Sequence, residues 1–132
     1  MAVEIEQLFE VIEECYEFML AYAAQGLASD KGSESGGQVR EFLNRAVGAL
    51  NGLAERCTEA MGGARPAFLS VLERDASDSL AAIELVLVQC SISSQLIDNL
   101  NASVHLRALL TDIFLLGDVF RAQRVATQAA GS

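Results

Sequence analysis

Residues 3–28 read VEIEQLFEVIEECYEFMLAYAAQGLA, and the spacing of their apolar side chains decides the fold class. Ile5, Leu8, Ile12, Cys15, Met19 and Tyr22 recur at alternating steps of three and four, the repeat of one face of an α-helix. Phe9, Tyr16 and Ala23 widen that stripe. At the rise of an α-helix the segment spans about 40 Å. It also carries Glu4, Glu6, Glu10, Glu13, Glu14 and Glu17 without one basic residue.

Beyond it, residues 29–37 read SDKGSESGG. That run is too rich in Gly and Ser for either periodicity and predicts a flexible loop. A second helix is predicted from Gln38 to Met61, burying Val39, Phe42, Leu43, Ala46, Leu50, Leu53, Cys57 and Ala60. Gly48 and Gly52 interrupt it on one face, each costing about 1 kcal/mol relative to Ala, which points to a close approach by another helix backbone. Gly62-Gly63 suits a helix C-cap, and Pro66 suits the first turn of the next helix.

Residues 66–100 read either as one long helix or as a short helix near 66–75 followed by a long one from about Ser77. The second reading rests on Asp75-Ala76-Ser77-Asp78-Ser79, a run of capping residues. Ile83, Leu85, Val86, Leu87, Val88, Cys90 and Ile92 make this region apolar on nearly all sides, which implies a central position or a subunit contact, and Leu85 to Ile97 reads as buried helix. Asn101-Ala102-Ser103 makes a last turn, with Ser103 capping a helix that carries Leu106, Leu109, Leu110, Ile113, Leu116, Val119, Phe120 and Val125. Residues 127–132 are expected to fray. The expectation is an all-α, antiparallel four-helix bundle, with a fifth short helix near 66–75 as the alternative, in a single domain over residues 1–132.

Composition narrows the partners. A net charge of −9 with one Lys and no Trp argues against nucleic acid or an anionic membrane, both of which need a basic surface. No run reaches the roughly 18 apolar residues of a membrane span. The first residues lack a basic n-region, so the expected location is cytoplasmic. Three cysteines on separate predicted helices fit reduced thiols better than a disulfide framework.

The inventory of reactive groups is thin, so neither enzymatic activity nor a cofactor or metal is expected. His105 is the single histidine and no Glu-x-x-His occurs, which disfavours a carboxylate di-metal centre. In an up-and-down bundle Cys15, Cys57 and Cys90 fall at different heights and read as small buried hydrophobes. The segment from His105 through Arg107 to Leu110 resembles the phosphoacceptor box of sensor histidine kinases, without its acid and Pro. That resemblance implies a degenerate histidine phosphotransfer protein as the weaker alternative. Ser91 and Ser94, with Tyr16 and Tyr22, suggest a second class, a sensory bundle holding a small apolar ligand between helices.

The leading expectation is a protein-binding module, an adaptor, regulator or chaperone-like factor. Its acidic face of Glu6, Glu10, Glu13, Glu14 and Glu17 would dock a partner with a basic surface. Self-association into a homodimer is expected through Leu85, Val88 and Ile92, with Gly48 and Gly52 allowing close approach.

Overall fold

A computed structural model describes residues 2–130. The described residues form six α-helices and no strand: α1 Ala2–Ala24, α2 Glu34–Leu50, α3 Leu53–Ala60, α4 Phe68–Leu87, α5 Ser94–Ala102 and α6 Val104–Ala130. The all-α class follows the periodicities. The helix count does not, because two expected helices are each divided: residues 38–61 become α2 and α3, and residues 66–100 become α4 and α5.

The first division lies at Asn51-Gly52. Gly52 takes φ +69°, a left-handed conformation that glycine adopts without a Cβ clash. Gly52 is therefore a turn residue rather than a packing notch. Gly48 is exposed, and a Cβ built on it would meet nothing within 4 Å, so no helix backbone approaches there. At the end of α3, Gly63 N–H donates to Thr58 O at 2.9 Å and Gly62 N–H to Glu59 O at 3.0 Å. Those two bonds close the helix in a Schellman cap.

The second division is not where the capping residues suggest it. Asp75 to Ser79 lie inside an unbroken α4: Ser79 is buried and its Oγ donates to His105 O of α6 at 2.9 Å, while Ser77 and Asp78 are exposed on the helix surface. The helix ends at Leu87 instead, inside the run read as buried helix. Arg40 of α2 donates to Leu87 O at 2.9 Å and to Gln89 O at 2.8 Å, taking carbonyls exposed at the helix end. Cys90 is exposed in this connection, against the expectation of a buried thiol, while Cys15 and Cys57 are buried and their thiols are pushed up to about 12 by desolvation.

The connection from α1 to α2 is as long as expected but lies earlier, over residues 25–33, because α1 ends at Ala24 and α2 begins at Glu34. Ser33 Oγ accepts from Gly36 N–H at 3.0 Å and caps α2, so residues 34–37 are helical. Asp30 anchors what remains: its carboxylate accepts from Arg40 Nε at 2.9 Å and from Ile92 N–H at 2.8 Å. Tyr22 is wholly buried and its hydroxyl donates to Ile92 O at 2.7 Å. Ser94 Oγ donates to Tyr22 O at 2.6 Å and accepts from Leu27 N–H at 2.9 Å. The two connections are thus stitched together at one end of the bundle. At the other terminus α6 runs through residues 127–130, expected to fray; residues 131–132 lie outside the described residues.

α1 and α4 each pack against α2 on one side and against α5 and α6 on the other. α1 and α2 run in opposite directions: Phe18 stacks on Phe42 at 4.3 Å while Glu14, a turn earlier on α1, meets Arg45, a turn later on α2. Ile5, Phe9, Ile12, Cys15, Met19 and Tyr22 turn inward from α1, joining Val39, Leu43, Leu72, Ile83, Leu109, Ile113 and Phe120 in one core. Among the described residues no helix is long and apolar enough to cross a membrane.

Candidate functional site

The antiparallel contact of α1 with α6 leaves a groove. Phe9 and Phe120 meet at a tilt beneath it, centroids 6.3 Å apart with planes at 50°. Beside this pair Glu6, Glu10 and Glu13 form one wall, and Phe114, Gly117, Arg121 and Arg124 the other, around a cavity of about 260 Å³. Phe9 and Ile113 supply an apolar floor. Gly117 is buried, and a Cβ there would meet the Arg121 guanidinium in ordinary van der Waals contact at 3.4 Å. Phe114 stands 50% exposed at the rim, continued along the outside of α6 by Leu115 at 51%.

The charge in the groove is partly compensated. Glu6 pairs with Arg124, while Arg121 pairs within its own helix with Asp118. Glu13 is half-buried, and its carboxyl is pushed above the usual range by that burial, then by the charge of Glu10, with Arg121 pulling it down and Glu17 raising it further. The groove therefore holds acids not fully matched by its own bases, over apolar carbon: a site suited to a cationic side chain with an apolar neighbour.

The expected acidic face is divided by the fold. Glu6, Glu10 and Glu13 line the groove, and Glu17, exposed, continues their row by one turn. Glu14 lies on the other flank, where it accepts from Arg45 of α2 at 3.3 Å beneath the Phe18–Phe42 stack. The absence of bases from α1 itself is thus answered in part by Arg45, Arg121 and Arg124 from other helices.

The residues expected at a self-association surface do not form one patch. Leu85 and Val88 are 65% and 76% exposed at the end of α4, but Ile92 is wholly buried in the core, Gly48 faces solvent on α2 and Gly52 forms the α2–α3 turn. Of the polar groups expected around a ligand, three are committed within the chain: Tyr22 and Ser94 to the bonds above, and Ser91 Oγ to Ser29 Oγ at 2.9 Å. His105 is exposed in the first turn of α6. Among the described residues no three His, Cys, Asp or Glu side chains come together as metal ligands would.

Phe114, Gly117, Arg121 and Arg124 were not expected at the site. Their steps of three and four along α6 form a stripe distinct from the apolar one, and that spacing is the signal in the sequence that marks them. The chain matches no family model, no curated protein and no solved structure.

Proposed function

We propose that this chain is a protein-binding module whose docking site is the α1–α6 groove, and that its partner presents a basic amphipathic helix. The observation that carries the reading is the row of Glu6, Glu10 and Glu13 over the floor of Phe9 and Ile113, with Phe114 half-exposed at the rim. A helix laid in such a groove would place apolar anchors at i, i+3 or i+4 and i+7 against Phe9, Ile113 and Phe114 and its Lys or Arg side chains against Glu10 and Glu13. The overall charge of −9 would speed the approach of such a partner and make the association salt-sensitive.

Self-association has weaker support. Leu85 and Val88 are exposed, but Ile92 is buried, so the residues expected to carry it do not make one surface.

Calorimetric titration with a synthetic amphipathic Lys/Arg-rich helical peptide tests the reading. Binding should weaken about tenfold in the Glu10→Lys, Glu13→Lys double variant and fall with added salt. Equal affinity for the variant, or for a peptide with its Lys and Arg replaced by Glu, would contradict it.

A further inference from the structure

We propose that Asp75 and Asp112 form a proton-operated latch between α4 and α6, closed while the two carboxyls share a proton and released when both ionise. Asp112 is a charged residue type at a core position of α6, only 4% exposed. Its Oδ2 is sealed from solvent, and no hydrogen-bond donor among the described residues reaches it. What lies within hydrogen-bonding reach is the carboxyl of Asp75 on α4. Asp112 is buried and Asp75 half-buried beside it, and two carboxylates so placed cannot both keep their charge at low cost, so in the closed latch one holds a proton and donates it to the other.

The surroundings keep the two groups opposed. Ser79 Oγ bonds to His105 O one turn further along the same contact, setting the register of α4 against α6. Leu72 and Ile83 of α4 and Leu109, Ile113 and Leu116 of α6 are all buried in the same core as Asp112. No basic group among the described residues offsets the charge. Arg74, Asp78 and Arg107 are exposed; Glu6, Glu10 and Glu13 of α1 face α6 across the groove with Arg121 and Arg124; Asp98 of α5 is exposed. Burial first, then the hydrogen bond with Asp75 and its charge, push the Asp112 carboxyl up to about 7. The latch thus opens in the range where cells regulate pH. Ile113 and Phe114, the next two residues, line the groove, so release would reach its rim; the latch itself does not rest on the docking reading.

Carboxyl carbon NMR titration of Asp112, combined with amide hydrogen exchange along α6, tests this. The account expects a midpoint near pH 7 rather than the ordinary value of about 4, and protection of α6 amides that drops about tenfold from pH 5.5 to 8 once intrinsic exchange rates are divided out. Asp112→Asn, which keeps the shape and donates without a charge, should hold that protection constant across the same range. If that variant fails to fold, Asp75→Asn serves instead and should move the Asp112 midpoint downward. A wild-type midpoint near 4, or protection of α6 that is unchanged while Asp112 titrates, would overturn the proposal.

Discussion

Two aspartates show how placement decides what one side chain does for stability. Asp30 accepts from Ile92 N–H and Arg40, and these bonds, the backbone one foremost, hold its carboxyl below the ordinary range. Its contribution is complete above the ordinary value of about 4 and is lost as pH falls through the depressed one. Asp30→Ala should cost about 1.5–3 kcal/mol at pH 7 in urea unfolding, because it leaves the Ile92 amide and the Arg40 guanidinium short of an acceptor. Asp112 has the opposite sign. Its raised carboxyl binds a proton more tightly in the folded chain, so stability declines as pH rises from about 4 to about 7 and levels off above. Asp112→Asn should therefore stabilise the protein by on the order of 2 kcal/mol at pH 8 and little at pH 4, read from the same unfolding curves.

At the scale of elements, the helices were legible where their own periodicity sets them, and their ends were not. Ile5 to Tyr22 announce α1 because one face of one helix is buried along its length. The break after Leu87 depends on Arg40, Asp30 and Tyr22, which lie 47 to 72 residues away from the atoms they bind or that bind them in the stitched end of the bundle; no local pattern carries that. The same cause hid the continuity of α4, since Asp75 and Ser79 of that polar run meet α6 and cap nothing, while Ser77 and Asp78 are exposed. The two glycines of the expected second helix separate these effects. Gly48→Ala should raise stability by about 0.5–1 kcal/mol, since it adds a helix-favouring Cβ in open space. Gly52→Ala should lower it by about 1 kcal/mol or more, because a Cβ strains the left-handed turn. Paired thermal melts of the two variants check both signs.

For the whole molecule, the charge of α1 was visible in the sequence but its distribution was not. Helical spacing places Glu6, Glu10, Glu13 and Glu17 in one row; which helix faces that row, and that Arg45 of α2 meets Glu14 on the other flank, are outcomes of packing. Ile92 illustrates the converse, an apolar residue in an apolar run that reads as surface contact and is core, because Tyr22 and Asp30 bind its backbone and bring the chain inward. The groove gathers two stripes more than a hundred residues apart, as the Glu6–Arg124 pair shows. Its role as the docking site is the central claim, and amide chemical-shift mapping of the labelled protein with the Lys/Arg-rich amphipathic peptide tests it most directly. The account predicts perturbations concentrated in residues 6–13 of α1 and 113–124 of α6, suppressed at high salt. Perturbations confined to the α4–α5 connection, or none at saturating peptide, would contradict it.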